Sequence, residues 1–178
     1  VDLGFELAFR YRNPAMILAD GAIGQMMEKV VLPPFKPRRT EEEIRKECPW
    51  ATTGRFGGRK PNIITSLELR SEEMEIINLR IQEKYKKIEE SEVRFEEYML
   101  DDAEYAIVAF GSAARIAKKS IEIARSQGIK VGLLRPITLW PFPTKEVQKL
   151  GEKMKGILSL EINAGQMVED IRLAVAGR

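Results

Sequence analysis

The residue types able to do chemistry fall in a few short stretches. Asp20-Gly21 with Gly24-Gln25 follows an apolar run over 15–20 that reads as a buried strand. Ligands of α/β proteins sit at the carboxyl ends of parallel strands, and glycines let the backbone turn sharply or approach a bound group closely. A tight exit turn with an Asx-type hydrogen bond explains the same residues. Phe110-Gly111-Ser112 joins a strand to a helix, so its amides can receive an anion. Ser112 is equally explained as an N-cap, and neither GxGxxG nor GxxxxGK[ST] is present. Arg55, Gly57, Gly58, Arg59 and Lys60 combine cations with flexible backbone, which suits capture of a phosphate or carboxylate; a solvated connector loop is the favoured reading. Cys48 lies beside Pro49 and Trp50 and has no histidine to activate it, which makes it a partly buried thiol rather than a nucleophile. Glu161 ends a strand at the same edge as Ser112, as an acid at an interface or as a structural acceptor for nearby amides.

The residues that are missing narrow the chemistry further. With no histidine the usual general base, proton shuttle and metal ligand are gone. One cysteine holds neither an internal disulfide nor an iron–sulfur cluster nor a structural zinc, and it fits a reducing cytoplasm. A net charge of +2 gives no argument for nucleic acid or an anionic membrane. No apolar run reaches the length of a membrane span. Paired carboxylates, metal-ligand spacing and a nucleophile–base arrangement do not emerge, so no catalytic residue and no metal ligand is assigned. The chain opens Val1-Asp2-Leu3 with no signal segment, and we expect it to be part of a longer polypeptide.

These stretches need elements to hold them. Residues 1–12 have helical spacing, stopped by Asn13-Pro14; with the strand over 15–20 they make the last αβ unit of a parallel sheet whose remainder lies elsewhere. Residues 29–69, rich in proline and glycine, form an extended connector with one short helix over 40–47 capped by Thr40. Ser71 caps a long helix over 71–99, with a break near Ser91 as an option, and Met74, Ile77, Ile81, Tyr85 and Ile88 form its stripe. From 103 onward strand and helix alternate: strands over 103–111, 129–134 and 156–163, helices over 112–128, 144–155 and 164–176, the last opened by a capping box of Asn163 and Gln166. That order predicts a three-layer α/β domain on a parallel sheet.

The string RPITLWPFP, Arg135 to Pro143, stands directly behind the strand KVGLL. Its three prolines must take the chain out of the sheet, and Trp140 and Phe142 form a stiff apolar hook that needs a docking surface.

Several strings occur together in order: LADGAIGQMMEKVVLP (18–33), WATTGRFGGRKPN (50–62), EEY (96–98), AEYAIVAFGSAARIAK (103–118), RPITLWPFP (135–143) and EINAGQMVEDIRLAV (161–175). Together they resemble the α subunit of the 2-oxoacid:ferredoxin oxidoreductases, of the 2-oxoisovalerate and 2-oxoglutarate type. The resemblance implies an enzyme that decarboxylates a 2-oxoacid on thiamine diphosphate, passes electrons through iron–sulfur clusters to ferredoxin, and forms an acyl-CoA. On that plan residues 1–32 are the tail of the pyrimidine-side thiamine-diphosphate domain and 33–100 the connector. Residues 101–178 are a domain like the transketolase C-terminal domain, incomplete at its C-terminus. Thiamine diphosphate then belongs at an interface with another subunit, the clusters belong to other subunits of the β, γ and δ type, and this chain alone holds neither. Only Asp20, Gly21, Gly24 and Gln25 lie in the domain facing the cofactor. A non-catalytic α/β interaction module of the same ancestry is the alternative.

Overall fold

The computed structural model describes residues 1–52, 54–61 and 63–176, with Phe56 described by its backbone alone. The chain divides into two units, Val1–Met26 with Arg80–Arg178, and Met27–Leu79.

In the larger unit the sheet forms from strands β1 (Phe95–Tyr98), β2 (Tyr105–Ala109), β3 (Val131–Pro136) and β4 (Gly156–Leu160), in the order β1-β3-β2-β4. The crossovers are α5 (Gly111–Ser126) between β2 and β3, and α6 (Thr144–Lys153) between β3 and β4; α7 (Met167–Val175) follows β4. Strands β2, β3 and β4 run parallel, as their helical crossovers require. Side chains of period two feed both faces. Ala106, Val108 and Leu134 meet Val147, Leu150, Met167, Ile171 and Ala174 of α6 and α7. Ala109, Val131 and Leu133 meet Ala113, Ala114, Ala117 and Ile121 of α5. Three layers result, with the expected helices and parallel strands.

One strand departs from expectation. The helix expected over 71–99 is α4, Ser71–Ser91, and 95–98 is β1, antiparallel to β3. The sheet is therefore mixed, with a parallel core and one antiparallel edge. Phe95, Glu96, Glu97 and Tyr98 alternate in exposure as a strand does, but acids at 96 and 97 beside a helical run hide that period. Because β1 pairs along it, β3 continues through Pro136, opposite Phe95 on the last rung, where a missing amide costs least. At the other edge β4 bonds to β2 alone among the described strands, and Leu158 on it is 56% exposed.

Two details lock the strands. A Cβ on Gly132 would stand 2.5 Å from the Met99 carbonyl oxygen, so only glycine lets the chain leaving β1 cross over β3. Arg125 closes the same crossing: its guanidinium donates to the Val131 and Met99 carbonyls and pairs with Asp102 at 2.7 Å. Gly128, at φ +84°, ends the helical stretch as the sequence expects.

The first αβ unit is half realised. Helix α1 (Asp2–Tyr11) forms and stops at Arg12. Residues 15–20 form no strand, since no neighbour completes a ladder, and Met16, Ile17 and Leu18 are exposed. Helix α1 is held to the C-terminal end of α4 by Glu92, which is 3% exposed. The Tyr11 hydroxyl donates to Glu92 Oε1 at 2.5 Å, and Arg10 Nη1 lies 3.2 Å from the same oxygen. Arg94 Nη2 lies 2.8 Å from Oε2 but off the hydrogen-bonding direction, leaving that oxygen ion-paired only.

The smaller unit contains α3 (Glu41–Glu47) and a single 3₁₀ turn, Phe56–Gly58. Thr40 caps α3 as expected and completes a capping box with Glu43. The expected Ser71 cap on α4 is displaced by one residue: the Met74 amide donates to the Arg70 carbonyl, which makes Ser71 the first helical residue.

Candidate functional site at the carboxyl edge of the sheet

Two stretches that are separate in sequence meet in the structure. Asp20 starts α2 (Gly21–Gln25) and accepts from the Ile23 amide at 2.8 Å. Its second oxygen accepts from the Ser112 hydroxyl at the N-terminus of α5. Ser112 is therefore not the N-cap of α5; it lies inside the helix, after Phe110 and Gly111, and its hydroxyl serves Asp20. The Ser112 hydroxyl, together with the local amides, holds the Asp20 carboxyl below its ordinary range. An anion does sit at the start of α5, and the protein itself supplies it.

The same device recurs after β4. Glu161 accepts from the amides of Gln166, Met167 and Val168 at 3.1, 2.9 and 3.0 Å, from the Ser159 hydroxyl at 2.9 Å, and from the Asn163 side-chain amide at 3.1 Å. Burial on its own would raise its pKa; the donated hydrogen bonds, the Met167 amide first, outweigh it and bring the group from 4.5 to about 2. Of its two sequence readings the structural acceptor is the correct one. The expected capping box is absent, because Asn163 instead accepts from the Gly165 amide and α7 begins only at Met167. Glu161 caps the helix from outside, six residues before its start. Capping rules written for nearest neighbours do not reach that far.

The remaining candidates separate. Gly21 and Gly24 lie in α2, Gln25 ends it, and a Cβ added to either glycine meets nothing within 4 Å. Nothing in this chain therefore obliges those positions to be glycine. Arg59 is occupied: it donates to the carbonyls of Gly54, Pro49 and Ala51, which folds the 49–59 loop around its guanidinium. The solvated-loop reading becomes a pinned loop, and Arg59 is withdrawn from anion capture. Cys48 is buried, as its sequence reading has it.

Sequence reasoning missed the cluster on β1. Glu96 accepts from Lys118 and from Arg135 at 2.8 Å, and Lys118 lies 5.3 Å from the centre of the Tyr98 ring. Lys118 first, then Arg135, holds the Glu96 carboxyl below its ordinary range. The available signal was EEY itself, once it is taken as a strand.

Comparison with known proteins places this geometry. Residues 103–178 match the family profile of pyruvate:ferredoxin oxidoreductase core domain II. The ketoisovalerate oxidoreductase subunit VorB of Methanothermobacter marburgensis is 48% identical over 96% of this chain and 47% of its own length. The chain is a relative of 2-oxoacid:ferredoxin oxidoreductase subunits. A second oxidoreductase relative, the 2-oxoglutarate synthase subunit KorA of Archaeoglobus fulgidus, is 30% identical over 94% of this chain and 47% of its own. The chain thus spans about half the length of the curated relatives it matches. Their subunit letters differ, B and A, so the letter does not decide the subunit class. A solved 2-oxoglutarate:ferredoxin oxidoreductase from Magnetococcus marinus, with 2-oxoglutarate, coenzyme A and succinyl-CoA bound, superposes with a TM-score of 0.61 at 20% identity. It covers 71% of this chain and 23% of that one, and establishes the fold.

Proposed function

We propose that the chain is part of the α subunit of a 2-oxoacid:ferredoxin oxidoreductase, which converts a 2-oxoacid to an acyl-CoA and reduces ferredoxin. In this reading residues 101–178 are its transketolase C-terminal-like domain, and the portion serves mainly in domain packing and subunit assembly. The observation that carries the reading is the 48% identity to VorB across almost all of this chain.

The site supports a supporting role. A diphosphate needs free helix amides or cations, and the starts of α5 and α7 are filled by Asp20 and Glu161. Among the described residues no group of acids and cysteines can hold a metal ion. The residues present do not fit a thiamine diphosphate held by this chain alone, and no step is drawn through it. A Cβ at Gly21 or Gly24 would meet open space, and in this reading the Asp20–Gln25 segment meets a cofactor held by another subunit. The iron–sulfur clusters, ferredoxin and CoA belong to that complex. Among the described residues no helix is long and apolar enough to cross a membrane. A cytoplasmic location is part of the proposal.

The test is co-expression of the full reading frame with its neighbouring subunit genes, followed by viologen reduction with 2-oxoisovalerate or 2-oxoglutarate and CoA. CoA-dependent reduction in the co-purified complex, and none by this chain alone, is expected. Failure to co-purify with any subunit, in a chain that folds, would leave the non-catalytic interaction module in its place.

A further inference from the structure

The hook found in the sequence lines one wall of a cleft. Tyr85 of α4 holds Trp140 edge-on, ring centres 5.6 Å apart and planes at 79°, while Trp140 stays 53% exposed. Phe142 packs against the core beneath and Pro141 is buried. The cleft in front of them has a volume of about 550 Å³, within the range of ligand-binding pockets. The cleft is lined by Val93, Phe95, Trp140, Pro141 and Phe142, with the carboxylates of Glu89, Glu90 and Glu146 and the cation Lys145; Glu146 is already ion-paired with Lys149.

Two properties define what fits. The open aromatic faces of Trp140 and Phe95 suit the flat side of a polyproline II segment, which enters already extended and loses little conformational freedom on docking. Two exposed carboxylates, Glu89 and Glu90, stand against the one cation Lys145 in the lining, and so favour a cationic segment over an acidic one. We propose that this cleft is a docking groove for an extended, proline-containing segment of a partner subunit that bears arginine or lysine beside its prolines. The inference deepens the assembly reading above and rests on it for the partner's being a subunit; the groove's chemistry stands on the cleft alone.

The probe is the synthetic peptide acetyl-APPRPPKPA-amide, titrated calorimetrically into the full chain. Binding is expected, weakening with added salt as the lining charges are screened. Trp140→Ala is expected to weaken it at least about tenfold, since an exposed aromatic anchor is where binding energy concentrates. Because loss of Trp140 also removes its contact with Tyr85, the double variant Glu89→Lys/Glu90→Lys serves as the second test; both positions are exposed, and it too should weaken binding at least about tenfold. A peptide with glutamates in place of its cations should not bind. Undiminished binding by the double variant, or equal binding of the acidic peptide, overturns the proposal. Saturation of the cleft by n-butylguanidine with no gain from the peptide would reassign it to a small cation and also overturn it. Purification of the co-expressed complex separates the two readings. If the wild-type complex assembles and the chain does not bind the peptide, the groove fails alone; if no complex forms while the chain binds the peptide, the assembly reading fails alone.

Discussion

Residues 95–176 and residues 1–70 both carry many apolar side chains and use them in opposite ways. In the first, Val108, Ile121, Leu133, Leu134 and Val147 are fully buried on the two faces of the sheet. In the second, Cys48 is the one buried apolar side chain among the described residues, while Met27, Val31, Leu32, Phe35 and Ile63 stand in water. Scattered exposed apolar residues are ordinary; a long stretch that exposes nearly all of its own is not. The first region buries its apolar side chains within itself, and the second leaves most of its own exposed. That contrast is the physical content of the assembly reading.

The contrast can be broken most directly with one kind of change in each region. Ile121→Ala empties the α5 side of the core and should cost about 3 kcal/mol in a denaturant melt. Phe35→Ala, at a position 89% exposed, should move the same melt by less than about 0.5 kcal/mol. A loss at Phe35 comparable to that at Ile121 would show that residues 1–70 contain a core of their own.

Glu161→Gln comes next, since it removes the charge that gathers three amides of α7; a loss of about 2 kcal/mol is expected. The sign with pH follows from a folded value of about 2 against an ordinary 4.5. The stabilisation is complete above 4.5 and drains away as the pH falls from 4.5 toward 2. Acid titrations of the wild type and Glu161→Gln should therefore converge at the acid end; parallel curves would refute the capping role.

Glu92→Gln should cost about 1 kcal/mol, less than its burial suggests, because Arg10 and Arg94 reach solvent. Tyr11, first among its partners, holds the Glu92 carboxyl below its ordinary range, so this contribution too is lost on acidification. The sharper readout is hydrogen exchange, which should speed up across α1 and leave β2 and β3 unchanged. Gly21→Ala should have the smallest effect on the melt, since its Cβ enters open space. In the co-expressed complex the same change should lower viologen reduction if the loop meets the cofactor; unchanged turnover would remove the loop from the site.

Much of the 103–176 layer was legible because its elements obey local rules. Strand runs, helical stripes and Gly128 each act within a few residues. What stayed hidden depended on distant partners. β1 is a strand because β3 offers it an edge, and 15–20 is not one because nothing does. Ser112 is a sound N-cap by type, yet its hydroxyl turns to Asp20, 92 residues away. Of the candidate site, sequence supplied the residues and the edge of the sheet they occupy. The pairing of Asp20 with Ser112, the wrapping of Glu161 and the pinning of Arg59 all required three-dimensional neighbours.

The outer side of β4 has a practical consequence. Gly156-Ile157-Leu158-Ser159-Leu160 carries no lysine or proline of the kind that guards a free edge, and Leu158 is open beside it. The sheet can be extended there by any strand that arrives. Alone in solution the chain should form soluble oligomers as its concentration rises, and a single Leu158→Lys change should keep it monodisperse.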